Sequence, residues 1–306
     1  MQILSARDLI ERLPYDILVR DLPALLLRKT DSPQRHVHTV HQAGEPDATL
    51  LMMPAWTEGF GGVKIVNVTP GNAQRSLPAV TASYLLFDAV TGEHRALLDG
   101  GELTARRTAA VAAIAADRLA LSHAHRLLLI GSGRIAGELA FAYRAIRDIR
   151  TVEVYSPTHA NAEKLAHRLR DHGFAATATE DLGYAVQRAD IVACATLSHT
   201  PLVKGEWLAP GQHVALIGGY THDMREANDA AMARASIWVD SHAALSEAGD
   251  LAGPLSHGII RYEDIRGTLP DLCRHAQVDG REDVVTLFKS VGEASQDLAA
   301  AAIALR

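Results

Sequence analysis

The second half of the chain alternates short apolar runs with amphipathic segments. Residues 127–130, IVACAT (191–196), HVALIG (213–218) and SIWVD (236–240) each have the length and apolar character of a buried strand. Between and beside them, residues 134–146 and 159–172 repeat apolar positions at intervals of three and four, which indicates helices. This alternation predicts an α/β fold with a doubly wound parallel sheet.

The first half has a different pattern. Residues 34–70 contain two alternating segments, QRHVHTV and GGVKIVNVT, and an apolar run, LLMMPAW, all of which predict strands. Residues 81–99 predict a hairpin that turns at 91–93. Ser5 is placed to cap a short helix over 5–13, and Thr104 to cap an alanine-rich helix reaching Leu121. The tail, 284–305, predicts a strand and an alanine-rich helix. We place this tail on the first domain, which is therefore discontinuous.

One strand runs directly into a glycine-rich turn, GSGRIA (131–136), which has the form G-x-G-x-x-A of dinucleotide-binding turns. Gly131 permits the tight turn, and Gly133 lets the backbone approach a pyrophosphate, which the N–H groups of the following helix can bind. The alternative is a glycine-rich connector in an unrelated α/β domain. Because the turn lies between a clear strand and a clear helix, we predict a Rossmann domain whose cofactor contacts include Gly131, Ser132, Gly133, Arg134 and Ile135.

The residues after the next strand indicate which nucleotide binds. The strand VEVY ends in Ser156-Pro157-Thr158-His159, without the carboxylate that binds the ribose 2′-hydroxyl of NAD. Ser156 and Thr158 can donate to a 2′-phosphate, and Arg134 can approach it. The tip therefore favours NADP over NAD, although the same residues also suit a turn and a helix cap.

Composition excludes several classes of protein. The chain has 306 residues, of which 48% are hydrophobic, and a net charge of −6 with dispersed basic residues, so we expect two domains and no nucleic-acid surface. Two cysteines cannot form a disulfide framework. No secretory segment and no run of ~18 uncharged apolar residues is present. We expect a cytoplasmic protein that does not bind membranes, and no metal site, since His36 and His38 have no Cys or acidic cluster beside them.

Four cationic side chains of the first domain are candidates for chemistry. Lys64 stands among alternating apolar residues after two glycines, and a lysine in an interior needs a partner or a task. Arg106 and Arg107 open an alanine-rich helix, and Arg35 precedes a strand; a guanidinium can bind a carboxylate with two hydrogen bonds. From the pattern alone, a solvated strand face or first helical turn is the more ordinary place for each.

Together these segments resemble the ornithine cyclodeaminase/mu-crystallin family over essentially the whole chain. The resemblance is carried by MPAW (53–56), GVKIVNV (62–68), LLFDAVTGEHRALLDGGELTARRTAA (85–110), GSGRIA (131–136) and TLFKSVGEASQDLAAA (286–301). It implies a homodimer in which residues 1–121 and 284–306 form a discontinuous α+β domain for substrate binding and dimerisation. Residues 122–283 then form the Rossmann domain.

The resemblance also assigns residues by position. Lys64 matches the family's active-site lysine, and Arg35 and Arg107 match arginines that hold the substrate carboxylate. Thr108 matches a residue beside the cofactor, and Ser290 and Gly292 match a loop near the nicotinamide. We also place Thr196, at the end of IVACAT, in the cofactor site.

One departure narrows the expected substrate. Ornithine cyclodeaminases carry an aspartate after a glycine pair, whereas this chain has Tyr220 in IGGYTHDMRE, and Asp223 stands three residues later. A tyrosine cannot pair with an ammonium group as a carboxylate does. The segment is similar to that of the family's ketimine reductases, so the expected reaction is NADPH-dependent reduction of Δ1-pyrroline-2-carboxylate or Δ1-piperideine-2-carboxylate to L-proline or L-pipecolate.

Three alternatives remain open. The first is an ornithine cyclodeaminase with bound NAD, which converts ornithine to proline and ammonia without net cofactor consumption. The second is an alanine-dehydrogenase-like reaction on an open-chain keto acid and ammonia. The third is a non-catalytic binder of NADPH and small carboxylates, in the manner of mu-crystallin.

Overall fold

The computed structural model describes the backbone of residues 1–306 and every side chain except that of Ala73. The chain forms two units. One comprises Met1–Arg107 and Glu293–Arg306, and the other comprises Thr108–Gly292. The boundary between them therefore falls inside one helix, directly after Arg107.

The amino-terminal part of the first unit is mainly a six-stranded sheet with the strand order β1-β6-β5-β4-β3-β2. Strands β2 to β6 are antiparallel neighbours, and β1 joins β6 in parallel. A 3-10 turn, Pro70–Arg75, separates β4 from β5. The elements are β1 (Gln2–Leu4), α1 (Ala6–Arg12), α2 (Tyr15–Leu26), β2 (His36–Val40), β3 (Ala48–Thr57), β4 (Phe60–Val68), β5 (Val80–Asp88), β6 (His94–Asp99) and α3 (Gly100–Leu119).

Of the two predicted helix caps, one is confirmed and the other is wrong. Ser5 caps α1 as expected, and its side chain and that of Asp8 form a reciprocal capping box. The prediction for Thr104 is wrong, because α3 already begins at Gly100. The side chain of Asp99, the last residue of β6, accepts the Glu102 N–H at 2.7 Å and so takes the capping role.

The second unit is a Rossmann-type α/β domain. Its eight strands are all parallel, in the order β13-β12-β14-β11-β10-β7-β8-β9, which confirms the doubly wound sheet. The elements are β7 (Arg126–Ile130), α4 (Arg134–Arg144), β8 (Thr151–Tyr155), α5 (His159–Asp171), β9 (Ala175–Ala178), α6 (Leu182–Arg188), β10 (Ile191–Cys194), β11 (His213–Leu216), α7 (Asp229–Arg234), β12 (Ala235–Val239), α8 (Ala244–Glu247), α9 (Gly249–Ser256), β13 (Ile265–Thr268), α10 (Leu269–Arg274) and β14 (Val285–Lys289).

The tail is divided between the units. Helix α11 (Ala294–Ala304) returns to the first unit, as predicted, and packs on β3, β4 and β5. The placement of 284–292 on the first domain is wrong, because β14 lies between β11 and β12 in the second sheet. All five residues of β14 are buried, as in a central parallel strand covered on both faces. Within the described chain, no helix combines the length and the apolar character needed to span a bilayer.

Candidate active site

Lys64 lies on the buried face of β4. It is 3% exposed, and its cross-strand neighbours are Met53 on β3 and Tyr84 on β5. The adjacent residues Val63 and Ile65 point to the opposite face, because side chains alternate along a strand. Lys64 therefore does not lie on a solvated strand face, which is the location that its sequence pattern alone favours.

Asp297 on α11 joins Lys64 to Arg107. Its carboxylate lies 2.7 Å from Lys64 Nζ through Oδ2 and accepts from Arg107 Nε through Oδ1 at 2.8 Å. Gln296 Oε1 accepts from Arg107 Nη1 at 2.7 Å. Asp297 is fully buried, and Arg107 is nearly so. These contacts fix both cations on one carboxylate, so the three groups together carry one net positive charge in the interior.

The electrostatics of Lys64 follow from this arrangement. Burial lowers the pKa of Lys64 to about 8; Asp297 opposes this, and the positive charges of Arg107 and Arg35 add to it. Arg35 itself lies in the loop before β2 and is half-buried. Burial alone raises the pKa of Asp297, but Arg107 and Lys64 outweigh it and hold that pKa below its usual value. Asp297 is therefore ionised at neutral pH, and most Lys64 is protonated.

The two neighbouring arginines of α3 have different roles. Arg106 donates to the Leu13 carbonyl at 2.7 Å, lies near Glu102 and stacks over the Tyr15 ring at 4.6 Å. Those contacts hold α3 to the amino-terminal segment. Arg107, the next residue, contacts Asp297 beside Lys64. Of the two arginines, only Arg107 therefore belongs to the candidate site.

Tyr84 closes the buried side of the cluster. Its ring lies over Gly62, where a Cβ would collide with the ring and hydroxyl, which explains the glycine two positions before Lys64. Within the described residues its hydroxyl has no hydrogen-bond partner. Burial, and then the Asp297 carboxylate, keep the pKa of Tyr84 well above its usual value, so Tyr84 is a neutral hydroxyl.

In the second unit, the glycine turn has the geometry that the fingerprint requires. Gly131 has φ +112°, and a Cβ there would lie 2.5 Å from the Ala195 carbonyl oxygen. Gly133 caps α4, and a Cβ on it would meet no other heavy atom within 4 Å. The buried Ala136 lets α4 lie close to the sheet. The turn therefore leaves room for an anionic group at the start of α4.

The turn and the tip of β8 are connected. The Ser132 and Ser156 hydroxyls are 3.2 Å apart, so the two loops are neighbours. Arg134 and Thr158 are exposed at this edge, and Ile135 is half-buried in the first turn of α4. Glu153 lies inside β8 and pairs with Arg188. The acidic residue thus stands inside the strand, and Ser156 follows the strand directly.

The other predicted cofactor residues lie near the ends of strands or in α3. Thr196 follows β10, and its N–H and hydroxyl both donate to Glu226. Ser290 follows β14, and its hydroxyl donates to Asp240 Oδ2 at 2.8 Å; the Gly292 N–H donates to the same oxygen. Thr108 is buried in α3, directly after Arg107.

Tyr220 stands after the glycine pair that follows β11, and its side chain is partly exposed. Asp223 lies three residues further on, where its carboxylate accepts from the Thr221 hydroxyl and pairs with His199 at 3.1 Å. Asp223 is therefore engaged by its own loop and by the segment that follows β10. Among the described residues, no group of three or more His, Cys, Asp or Glu side chains is arranged to hold a metal ion.

Sequence reasoning missed several polar residues of these sites. Asp297 had a detectable signal, since it is the one charged residue of an alanine-rich helix. Nothing local in the sequence showed that Tyr84 is the cross-strand neighbour of Lys64, because that depends on the register of β4 and β5.

The comparisons with known proteins cover almost the whole chain. The model of the ornithine cyclodeaminase/mu-crystallin family matches residues 18–304. The chain is 38% identical over 301 residues to a Δ1-pyrroline-2-carboxylate reductase of Paracoccus denitrificans, which covers 97% of this chain and 94% of that protein.

Two solved structures share the fold of this chain over its whole length. Thermococcus litoralis Δ1-pyrroline-2-carboxylate reductase, in complex with NADH and L-proline, superposes with a TM-score of 0.92 at 30% identity, covering 100% of this chain and 96% of that one. An archaeal alanine dehydrogenase dimer with bound NAD gives a TM-score of 0.89 at 28% identity, covering 100% and 95%.

Proposed function

Because the chain belongs to the ornithine cyclodeaminase/mu-crystallin family, we propose that it reduces a cyclic α-imino acid with a nicotinamide nucleotide. The substrate is Δ1-pyrroline-2-carboxylate or Δ1-piperideine-2-carboxylate, and the product is L-proline or L-pipecolate. The names of the Paracoccus and Thermococcus relatives support this reaction class. The observation in this chain that carries the proposal is the buried cluster of Lys64, Arg107 and Asp297.

The cluster suits a substrate that carries a carboxylate. Its surplus positive charge is balanced when an anion binds, and an arginine fork matches a carboxylate with two hydrogen bonds. Arg107 is already oriented by Asp297 and Gln296, so little side-chain freedom is lost on binding. Arg107 anchors the carboxylate and so determines which face of the C=N bond is presented, and Arg35 adds a second positive charge near Lys64.

Lys64 supplies the proton. An ammonium group has three N–H donors, and the contact with Asp297 occupies one side of it, so Nζ can still donate to the imine nitrogen. A pKa of about 8 places Lys64 close to the operating pH, which is favourable for a general acid. Protonation of the imine makes its carbon a better acceptor, so this contact stabilises the transition state more than the ground state.

The second unit holds the cofactor. Residues 131–135 lie where the pyrophosphate of a dinucleotide binds, and the open space over Gly133 fits the close approach of such a group. When bound, the reduced nicotinamide supplies a hydride to the C=N carbon. With the proton from Lys64 on nitrogen, the C=N double bond becomes an H–C–N–H single bond, and one amino acid and one oxidised nicotinamide result.

NADPH is the preferred form of the cofactor. Ser156, not a carboxylate, follows β8, and its hydroxyl contacts that of Ser132 on the glycine turn. Thr158 and Arg134 lie at the same exposed edge. Hydroxyl and guanidinium donors at this position accommodate a 2′-phosphate, whereas an acidic residue would repel it.

The protein acts as a homodimer through the first unit. The sheet face opposite Lys64 carries half-exposed or exposed apolar side chains on three adjacent strands, namely Leu50, Met52, Pro54, Trp56, Val63, Ile65, Leu85 and Phe87. Helix α11 packs on the other face. An apolar patch of this kind is typical of a subunit interface. The archaeal alanine dehydrogenase that this chain resembles is a dimer.

The reaction is tested by following NADPH absorbance with both cyclic ketimines, and then with ornithine and with pyruvate plus ammonia. We expect NADPH oxidation with at least one ketimine and formation of the matching L-amino acid. Ammonia release from ornithine without net NADPH consumption would instead identify a cyclodeaminase. NADPH oxidation with pyruvate plus ammonia, but with neither ketimine, would identify an alanine-dehydrogenase-like enzyme. Saturable binding of NADPH and imino acid without turnover would identify a binder.

A further inference from the structure

A second buried ionic cluster lies at the carboxyl edge of the parallel sheet. Glu226, Asp250 and Lys289 are all fully buried. Lys289 Nζ lies 3.0 Å from Asp250 Oδ2 and 3.7 Å from Glu226 Oε2. Asp250 Oδ1 accepts the N–H groups of Glu226 and Ala227 at 2.8 and 3.0 Å. None of these side chains has a role in the reaction proposed above, although burying three charges is costly.

Glu226 connects the loops that follow two neighbouring strands. Its Oε1 accepts from the N–H and the hydroxyl of Thr196, after β10, at 2.7 and 3.0 Å. Its Oε2 accepts from the N–H groups of Gly218 and Gly219, after β11, at 2.9 and 3.3 Å. Each oxygen thus serves a different loop. Both loops thus depend on the side chain of one residue, whose backbone N–H is bound by Asp250.

The loop at Thr196 in turn contacts the glycine turn. A Cβ on Gly131 would lie 3.3 Å from Thr196 Cγ2, in addition to its collision with the Ala195 carbonyl. A Cβ on Gly218 would overlap the Thr196 backbone. The three segments therefore pack backbone to backbone, without space for independent movement. Ligands of such sheets bind outside the carboxyl ends of the strands, near the point where strand order reverses, which here is at β7 and β10.

We propose that Glu226 is a positioning residue for the nicotinamide half of the cofactor. By holding the loops after β10 and β11 at a fixed distance from the glycine turn, it shapes the surface on which the nicotinamide ribose and ring lie. Lys289 favours the ionised Glu226 carboxylate, and Asp250 holds the Glu226 backbone by accepting its N–H. The inference rests on the proposed function only in taking the ligand to be a nicotinamide nucleotide.

A carboxylate is needed at this position because both oxygens must accept. Burial raises the pKa of Glu226, and the Lys289 ammonium opposes that effect. A protonated oxygen would face N–H donors on either side, so the contacts stabilise the ionised form. In Glu226→Gln, one terminal atom becomes an NH2 group. Whichever way the amide turns, its NH2 meets the donors of one loop, which then loses its anchor.

The experiment compares the whole cofactor with its adenosine half. Dissociation constants are measured for NADPH and for adenosine 2′,5′-bisphosphate, or for NADH and ADP if NADH binds more tightly. For Glu226→Gln we expect the constant of the dinucleotide to rise about tenfold, which corresponds to the loss of one buried hydrogen-bonded anchor. The constant of the adenosine half should stay within about twofold. Glu226→Asp keeps the charge but is one methylene shorter, so it should give the same split and serves if the glutamine variant does not fold.

Asp190→Asn is the matched control. Asp190 also accepts two backbone N–H groups, those of His125 and Arg126, each at 2.9 Å, but at the amino ends of β7 and β10. The Asp190→Asn variant should have a lower melting temperature and unchanged dissociation constants for both ligands. The inference is overturned if Glu226→Gln binds the dinucleotide like the wild type, or if the dinucleotide and its adenosine half weaken equally. Because these are binding measurements, they stand even if no cyclic imine is reduced.

Discussion

Lys64 and Asp297 form a buried ion pair, 2.7 Å long, between a strand near the beginning of the chain and the last helix. The pair is possible because α11 returns to the first unit and packs against β4. Arg107 binds the second oxygen of the same carboxylate. The return of the chain thus brings Lys64 and Arg107 together on one carboxylate.

Removal of the lysine should abolish turnover without affecting the cofactor. Without the Lys64 ammonium, the imine nitrogen loses its proton donor, so we expect Lys64→Ala to lower kcat by about 10²- to 10⁴-fold. The dissociation constant of NADPH should stay near that of the wild type. Steady-state kinetics and NADPH fluorescence test both statements. Lys29→Ala, which removes an exposed lysine of the same unit, is the control; unchanged turnover in Lys64→Ala would refute the acid role.

Activity should fall on the alkaline side as Lys64 loses its proton. The pKa of Lys64 is lowered from 10.5 to about 8, so the acid is present below that pH and lost as pH rises through it. We therefore expect kcat/KM to decline above about pH 8. Asp297→Asn removes a negative charge that raises this pKa, so the decline should begin at lower pH. A profile whose alkaline limb does not move in Asp297→Asn would contradict this assignment.

Arg107 should matter for substrate affinity and its neighbour should not. Arg107→Lys loses the fork that binds a carboxylate, so we expect kcat/KM for the imino acid to fall about 10- to 100-fold, mainly through KM. Arg106→Lys is the matched control, because Arg106 bonds to the Leu13 carbonyl. It should lower thermal stability and leave KM unchanged. If both substitutions raised KM equally, the Arg107 guanidinium would not be the group that binds the substrate carboxylate.

The cofactor preference should respond to one residue. Ser156→Asp places a carboxylate after β8, where it repels a 2′-phosphate and accepts from a ribose hydroxyl. We expect kcat/KM to fall at least about tenfold for NADPH and to rise for NADH. Glu153→Gln, inside the same strand and paired with Arg188, should leave the ratio unchanged. If the ratio does not move in Ser156→Asp, the strand tip does not select the nucleotide.

The oligomeric state should depend on the apolar sheet face. Ile65 is 39% exposed at the centre of that face, and a charge buried in an interface is costly. We expect Ile65→Glu to convert a dimer to a monomer by light scattering coupled to gel filtration. Val90→Glu changes an even more exposed apolar side chain in the β5–β6 turn and should remain dimeric. A monomeric wild type would contradict the proposed interface.

The sequence predicted the second unit best. Leu128 and Ile130 are apolar because their strand is covered on both faces, and the turn that follows needs Gly131 for its positive φ, so local pattern and local structure agree there. The unit boundary was harder to predict. An apolar strand such as β14 suits either domain, and only its pairing with β11 and β12 decides between them.

The ionic cluster of Lys64 and Arg107 also depends on distant contacts. Their local sequence pattern is typical of solvated residues, because their partner Asp297 lies far along the chain. Glu226 had no distinguishing local signal, since its donors come from loops at Thr196 and Gly218. Buried polar networks depend on contacts between distant segments, which hydrophobic periodicity does not encode.

A crystal structure with NADP⁺ and L-proline or L-pipecolate bound is the most direct test of the central claim. The account predicts the amino-acid carboxylate on the Arg107 guanidinium, with Lys64 Nζ within hydrogen-bond distance of the ligand and still in contact with Asp297. A ligand carboxylate bound away from Arg107, or a Lys64 side chain turned away from the ligand, would contradict it.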